Sequence, residues 1–243
     1  MIQTLATQQN SKERGRNASF LSEDGAGCPQ KDGRACAYDK AESVEMTSRR
    51  VIDILSYADM AGEECLHQVL GDFACPLNEE VEKFLKEKAE QSAKLKSSVT
   101  YFVVDTTSGI VLGYFTLVLK PFTIHESKLS KTNIRLISRF AERNDETGSF
   151  TAALYLIAQI GKNYALPEEC RISGGDLMSL ALDKLRAAQD LVGGKMVMVE
   201  READREKLLS FYQSNGFKSW NARFDKKDKV QYDQMIRVLE NVA

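Results

Sequence analysis

The chain contains 243 residues, of which 43% are hydrophobic and 28% are charged, and its formal net charge at pH 7 is −2. This composition is ordinary for a soluble globular protein. The small net charge excludes an overall basic field that would attract nucleic acid, although it leaves a local basic patch open. No apolar run approaches the ~20 residues that a membrane-spanning helix needs, and the N-terminus lacks the apolar core of a signal peptide. We therefore expect a cytoplasmic protein without a membrane partner.

The cysteines point away from a metal centre. They are odd in number, irregularly spaced, and form no Cys-x-x-Cys pair. Their positions are Cys28, Cys36, Cys65, Cys75 and Cys170. Only His67 and His125 could join them as ligands. We therefore expect no bound metal, and we interpret the cysteines as the reduced thiols of a cytosolic protein.

The first 48 residues differ in composition from the rest of the chain. They are rich in Ser, Gly, Asn and charged residues and contain few large apolar ones. Such a segment cannot bury much surface, so residues 1–48 are predicted to be a flexible polar extension. A single domain over residues 49–243 follows, with its first strand at Val51–Leu55 and a helix across Met60–Leu70.

The next segments predict a helix and a hairpin. Asn78 is a suitable N-cap for a helix with apolar residues at helical spacing. These residues are Val81, Phe84, Leu85 and Ala89. Two runs of strongly β-forming residues come next, Thr100–Asp105 and Ile110–Leu119, and their short connection predicts an antiparallel hairpin.

Residues 120–149 are polar, and the basic residues cluster in the middle. These are Lys128, Lys131, Arg135, Arg139 and Arg143. Apolar residues between Ile134 and Phe140 predict a short helix within the segment. One interpretation is that residues 120–143 form part of an acceptor site or contact an RNA backbone. The other is a solvated flap beside the hairpin.

The stretch from Leu154 to Phe217 reads as strand, loop, helix, strand and helix. Leu154–Ile160 is an almost continuous apolar run, which is typical of a strand covered on both faces. After the loop Arg171–Asp176, a helix begins at Leu177 and presents one apolar face. That face comprises Met178, Ala181, Leu182, Leu185, Ala188 and Val192. Gly193 and Gly194 supply a left-handed stop.

A second strand at Lys195–Val199 implies a parallel crossover connection from the first. A second helix follows, with Asp204 as its predicted N-cap and its end at Asn215-Gly216. The alternating segment Val230–Val238 predicts a closing strand, paired with a strand over residues 217–220.

The glycine pair Gly174-Gly175 stands where a strand and loop feed a helix. At such a place the backbone can approach a ligand closely, and the first amides of the helix point outward without partners. Together with the helix dipole they form an anion site that suits a phosphate or pyrophosphate. The alternative is a tight turn without a ligand.

The order of these elements resembles the core of the GNAT acetyltransferase superfamily. The resemblance rests on the apolar strand, the loop Arg171-x-x-Gly174-x-Asp176, the helix, the short strand and Phe211-Tyr212 before Asn215-Gly216-Phe217. It implies an α/β (α+β) fold with a mixed, centrally splayed β-sheet flanked by helices. It also implies acetyl-CoA as co-substrate.

The resemblance also assigns residues. The splayed strand would contact acetyl-CoA through Gln159, Ile160 and Gly161. The loop would bind its pyrophosphate, and Tyr212 would protonate the departing thiolate. The loop residues concerned are Arg171, Ser173, Gly174 and Gly175. This chain departs from the family pattern at Asp176, because a carboxylate beside a pyrophosphate repels it unless the carboxylate turns away as a helix cap.

A second set of residues is similar to the toxin-type branch of GNAT acetyltransferases, found in bacterial toxin–antitoxin pairs. These residues are Phe73-x-Cys75, Phe84-Leu85, Tyr101–Val104 and Gly113–Leu117. Several members of that branch acetylate the amino group of aminoacyl-tRNA.

Three functions therefore stay open. The first is an acetyl-CoA-dependent N-acetyltransferase acting on an unidentified primary amine. The second is a toxin-type enzyme acting on aminoacyl-tRNA, and the third is a catalytically inactive GNAT-like binding module. The predicted strand carries no carboxylate or histidine, only Gln159, and Glu200 could act only through a water, so the base stays unassigned. A homodimer is a further expectation.

Overall fold

A computed structural model describes residues 49–226 and 229–240 of the chain. The strands are β1 (Arg49–Asp53), β2 (Val99–Asp105), β3 (Val111–His125), β4 (Glu142–Asn144), β5 (Ser149–Lys162), β6 (Met196–Glu202), β7 (Lys218–Asp225) and β8 (Val230–Val238). The α-helices are α1 (Ile54–Ala61), α2 (Glu63–Asp72), α3 (Glu79–Glu87), α4 (Ala89–Lys94), α5 (Lys131–Ile137), α6 (Gly174–Val192) and α7 (Glu206–Ser214). The predicted extension over residues 1–48 lies outside the described residues.

The strands form one eight-stranded sheet in the order β1-β2-β3-β5-β6-β8-β7, and β4 pairs with β5 beside that path. Neighbouring strands are antiparallel except β5 and β6, which are parallel. This arrangement confirms the predicted mixed sheet flanked by helices. The β2–β3 hairpin, the parallel crossover and the closing pair β7–β8 are confirmed with it.

Helices α6 and α7 cover one face of the sheet. Their buried side chains, such as Leu182 and Tyr212, pack with sheet residues that include Phe115 and Val197. The opposite face holds two separate clusters. Helices α1 to α4 cover the strands at one end of the sheet, and α5 covers the middle and the other end. Successive residues alternate between faces, as Val197 and Met198 do, which is the two-residue period of a strand.

Two local predictions near the start of the domain need correction. The first strand ends at Asp53 because the Asp53 carboxylate accepts a hydrogen bond from the Ser56 N–H at 3.0 Å and so caps α1. The single helix predicted over Met60–Leu70 is two helices, since Gly62 at φ 89° interrupts it.

The segment over residues 120–149 is more ordered than the sequence predicts. Strand β3 continues to His125 and β5 begins at Ser149, so the two strands form a long paired arm. Ile124 and Phe150 are buried beneath α5, whereas the hydroxyls of Thr123 and Thr151 meet at 3.0 Å on the exposed side. This alternation explains why polar residues in the arm still belong to strands.

The bounds around the last two helices also differ. Helix α6 begins at Gly174 and not at Leu177. Val192, predicted on its apolar face, is 67% exposed. It is the last residue of the helix, and the C-cap Gly193 has a φ of 73°, in the left-handed region that the sequence predicts. Asp204 is not a cap, because α7 begins at Glu206 without a side-chain cap.

The prediction of reduced cysteines is wrong for two of the three cysteines in the described part of the chain. Cys65 and Cys170 are disulfide-bonded, whereas Cys75 is free and buried. Cys28 and Cys36 lie outside the described residues. Within residues 49–226 and 229–240, no group of three or more His, Cys, Asp or Glu side chains could hold a metal ion. No described helix is long and apolar enough to cross a membrane.

Gly161 allows α3 to pack closely on β5. A Cβ at this position would lie 2.5 Å from Cγ1 of Val81. Gly161→Ala should therefore lower the free energy of unfolding by about 1–3 kcal/mol, as overpacking of a filled core does. Gly71 is the matched control, because a Cβ there meets nothing within 4 Å and the residue is helical. Gly71→Ala should raise stability by about 0.5–1 kcal/mol. Urea unfolding of both variants checks this, and equal stabilities would contradict the close packing.

Candidate active site

The parallel strands β5 and β6 separate after a short contact. They pair only at Tyr155 with Val197 and at Leu156 with Met198. Beyond this point, β5 stays paired with β3 up to Lys162, and β6 stays paired with β8 up to Glu202. The sheet is therefore open between the two strands, as the sequence resemblance implies.

A β-bulge in β5 stands at the start of this gap. Thr116 of β3 is opposite Gln159, but the next residue, Leu117, is opposite Ile157. Ala158 is thus an extra residue in β5. A bulge bends its strand and increases the local twist, which explains how β5 turns away from β6 without losing β3.

The gap exposes backbone groups of β5. The Asn163 N–H donates to the Leu112 carbonyl at 2.9 Å, which makes this a hydrogen-bonded pair of the antiparallel ladder. Because such pairs alternate, Gly161 and Gln159 also bond towards β3. The N–H and C=O of Ile160 consequently point to the side where β6 no longer pairs. Of the three predicted strand residues, Ile160 is the one that offers its backbone to the gap.

Gly161 and Gln159 have other surroundings. Gly161 is buried against Val81 and Tyr114, so the absence of its side chain serves packing. Gln159 lies opposite Thr116, whose hydroxyl is within 2.8 Å of that of Thr100. Both positions therefore belong to the sheet face away from α6. This geometry gives no support to a cofactor contact by Gly161.

The N-terminus of α6 has the features of an anion site. Ser173 is the N-cap, and its hydroxyl accepts a hydrogen bond from the Asp176 N–H at 3.0 Å. The N–H groups of Gly174 and Gly175 have no acceptor within the described residues. A Cβ on Gly175 would meet only Ser173 Oγ at 3.9 Å, so the space beside it is open. Two free amides and the positive end of the helix dipole favour a bound anion here.

Gly174, at the N-terminus of α6, packs against Phe211 of α7. A Cβ on Gly174 would lie 3.0 Å from Cε2 of Phe211. The aromatic ring thus packs directly over the glycine, and the residue after it is Tyr212. The two glycines therefore differ: Gly174 is needed for packing, and Gly175 faces open space.

Arg171 holds the loop in shape. Its Nε donates to the Leu166 carbonyl at 2.8 Å, and another of its nitrogens donates to the Tyr164 carbonyl at 3.1 Å. The guanidinium also lies 5.1 Å from the centre of the Tyr164 ring. These contacts give Arg171 a structural role that the sequence did not predict. Its predicted contact with a pyrophosphate stays a prediction.

Asp176, the acid that departs from the family pattern, is paired with a residue that the sequence pattern did not indicate. Arg49 Nη1 lies 2.8 Å from Asp176 Oδ2. The Arg49 guanidinium, with the Ser173 hydroxyl, holds the pKa of this carboxyl below its usual value. Asp176 is therefore ionised at neutral pH, but its charge is matched. The two residues are 127 positions apart, so no local pattern could have revealed the pair.

Tyr212 belongs to α7, and its side chain lies in the apolar core between the sheet and the helices α6 and α7. It is 6% exposed, and its ring contacts Phe211 and Phe217 at centroid distances of 5.3 and 5.8 Å. Its hydroxyl has no hydrogen-bond partner among the described residues, yet it is not one of the fully buried polar atoms, so it keeps contact with solvent. Burial raises the pKa of the Tyr212 phenol to about 12. The phenol is consequently a proton donor at neutral pH.

Glu200 is held by neighbours on β7 and β8. One carboxylate oxygen accepts from Gln234 at 2.7 Å, and the other accepts from Arg223 at 3.0 Å. A carboxylate with both oxygens engaged is poorly placed to take a proton from an incoming amine. Glu200 therefore has structural partners in Arg223 and Gln234. The residue that would deprotonate the amine stays unassigned.

Comparison with solved structures gives similar folds among bacterial toxins. One structure, described as a bacterial toxin, has a TM-score of 0.52 at 13% identity and covers 79% of this chain and 92% of its own. The toxin AtaT in complex with acetyl-methionyl-tRNAfMet has a TM-score of 0.50 at 18% identity, over 76% and 94% of the two chains. A tyrosine-to-phenylalanine mutant of the toxin KacT has a TM-score of 0.50 at 20% identity, over 76% and 93%.

The chain has the GNAT fold. The predicted similarity to the toxin-type branch is confirmed for the fold, since AtaT and KacT are toxin GNAT acetyltransferases. Neither a protein-family model nor a curated protein matches the sequence. The gap between β5 and β6 and the free N-terminus of α6 are both observed in this chain. They lie close in sequence, because β5, the loop after it and α6 follow one another directly.

The site as a whole can hold an extended ligand with an anionic group. The free amides beside Gly175 suit the anion, and the outward backbone at Ile160 can hydrogen-bond a chain that runs along the gap. Sequence reasoning located both elements. It did not indicate Arg49, the packing of Gly161 against Val81 or the loop contacts of Arg171. The predicted ligand contacts of Gly161 and Arg171 stay predictions.

Proposed function

We propose that the protein is an acetyl-CoA-dependent N-acetyltransferase that acts on a primary amine. The observation that carries the proposal is the combination, in one β5–α6 unit, of an opened sheet edge at Ile160 and a free helix N-terminus at Gly174-Gly175. The GNAT fold supports it further. Acetyl-CoA combines an anionic pyrophosphate with an extended arm, and the residues present fit both parts.

Each residue would have a defined task. The N–H groups of Gly174 and Gly175 would bind the pyrophosphate, and the Ile160 backbone would hydrogen-bond the extended arm or the thioester carbonyl. When bound, acetyl-CoA supplies the activated acetyl group. The amine nitrogen would form the new C–N bond as the C–S bond breaks.

Tyr212 would supply the proton to the leaving sulfur. Its pKa of about 12 keeps the phenol protonated throughout the physiological range. The amine would lose its own proton to solvent, because no free base lies at the site within the described part of the chain. An amine of low pKa, such as the α-amino group of an aminoacyl ester, suits a site of this kind.

The first test is binding of acetyl-CoA by calorimetry. Ligand at about 100 times its dissociation constant should also raise stability by roughly 2.7 kcal/mol. Gly175→Val should abolish binding because the side chain fills the space beside the free amides, yet it should not destabilise the fold, since that space is open. If the wild-type protein gives no binding heat at millimolar acetyl-CoA, both transferase functions are contradicted. The catalytically inactive GNAT-like binding module is then the remaining function.

The second test concerns the proton donor. Tyr212→Phe should lower the rate of acetyl transfer by ~10²–10⁴-fold, the usual contribution of a positioned general acid. The affinity for acetyl-CoA should not change, because the lost interaction develops only in the transition state. Stability should change little, because the hydroxyl has no hydrogen-bond partner among the described residues. Radiolabelled acetyl-CoA and a panel of amines, including charged tRNA, provide the assay. A rate within threefold of wild type would remove Tyr212 from the mechanism.

A second candidate, acetylation of aminoacyl-tRNA, is favoured by the arm. Lys131, Arg135 and Arg139 follow one another at intervals of four residues, are exposed, and make no ion pair among the described residues. Lys120 and Lys128 add two more charges that are unpaired in the same part of the chain. Five such basic residues on the arm and on the connecting segment that contains α5 suit an RNA backbone, and a structure of similar fold contains acetyl-methionyl-tRNAfMet.

If RNA binds the arm, replacing Lys131, Arg135 and Arg139 with Gln should raise the KM for charged tRNA at least tenfold. The slope of log affinity against log salt should fall by roughly 0.7–0.9 for each phosphate that the variant no longer neutralises. The matched control replaces Lys83, Lys88 and Lys96, which are exposed on and beside the helices α3 and α4. An equal effect of the two triple variants would contradict a specific role of the arm. The predicted homodimer stays a prediction.

A further inference from the structure

The first residue of β1 and the first turn of α6 meet at an ion pair. Arg49 Nη1 lies 2.8 Å from Asp176 Oδ2, and the two side chains are 28% and 53% exposed. Asp176 directly follows Gly175, one of the two glycines whose amides are free. Its carboxylate therefore lies beside the place that the proposed function gives to a pyrophosphate.

An unmatched carboxylate in this position would oppose the binding of an anion. Like charges close together repel, and the free amides of one helix end carry only about half a positive charge. The other cations near the loop have neutral partners, so they keep their charge but contact other groups than Asp176. Arg171 donates to two loop carbonyls, and Lys162 Nζ lies 5.3 Å from the centre of the Tyr164 ring. Arg49 is the described cation in contact with the first turn of α6.

We propose that Arg49 is a positioning residue of the cofactor site, which neutralises Asp176 so that the N-terminus of α6 can bind the pyrophosphate of acetyl-CoA. This inference rests on the proposed function. Only one nitrogen of Arg49 contacts Asp176, so the guanidinium acts as a point charge rather than as a bidentate clamp. The alternative is an ordinary surface ion pair that ties β1 to α6 and has little effect on anything else.

The test measures acetyl-CoA affinity by calorimetry in four variants of the full chain. Arg49→Met should weaken binding roughly 10–100-fold, the equivalent of one charge-assisted interaction. Arg49→Lys should bind within threefold of wild type, because it keeps a point charge. Asp176→Asn should bind as well as wild type or more tightly. In the double variant Arg49→Met with Asp176→Asn, at least fivefold of the lost affinity should return.

Salt gives a second readout that a purely structural ion pair would not produce. The difference between wild type and Arg49→Met should shrink between about 50 mM and 500 mM salt, because the repulsion from Asp176 is screened. Arg50→Met is the control, since it removes the same charge from the next residue of β1, which points to the opposite face of the sheet. Its affinity for acetyl-CoA should equal that of wild type.

The outcomes separate the inference from the function beneath it. If wild type binds acetyl-CoA and Arg49→Met binds within twofold of it, Arg49 has no such role. Equal weakening in Arg49→Met and in the double variant would also overturn the inference, because Arg49 would then not act through Asp176. If wild type itself gives no heat with acetyl-CoA, the proposed function fails first, and the inference fails with it.

Discussion

The separation of β5 from β6 after Leu156 is the constraint on which the candidate site depends. Each strand keeps an unbroken ladder on its other side, β5 with β3 and β6 with β8. The sheet therefore stays intact while the backbone of Ile160 loses a strand partner. Backbone groups in this condition must bind water or a ligand. A continuous parallel ladder would have satisfied them and left no place for an extended molecule.

Close packing fixes the position of this gap and of the helix beside it. Gly161 lets α3 approach β5, and Gly174 lets the ring of Phe211 approach the start of α6. The first contact fixes β5 against α3 on one face of the sheet, and the second fixes the start of α6 against α7 on the opposite face. Gly175 has no comparable neighbour among the described residues. Gly161 and Gly174 therefore serve close packing, whereas Gly175 borders open space, where the proposed function places the ligand.

The charges of the site are balanced by fixed partners. Asp176 is paired with Arg49, and Glu200 is held by Arg223 and Gln234. No described carboxylate at the gap is free to serve as a base. If the proposed function holds, such a site would favour an amine whose pKa lies close to neutral pH, since a larger fraction of it is then deprotonated. The α-amino group, with a pKa near 7.7–8.0, meets this condition better than the Lys side chain at about 10.4.

The sequence by itself determined the elements whose causes are local: the Asn78 cap, the glycine stop of α6, and the strands with alternating or continuous apolar residues. These follow from contacts between residues a few positions apart. Tertiary structure alone decided the Arg49–Asp176 pair, the packing role of Gly161, and the extension of β3 and β5 into an arm. It also decided the bulge at Ala158, which depends on the pairing of β5 with β3. In each case the partner lies far away in the chain, and only the folded sheet brings the two together.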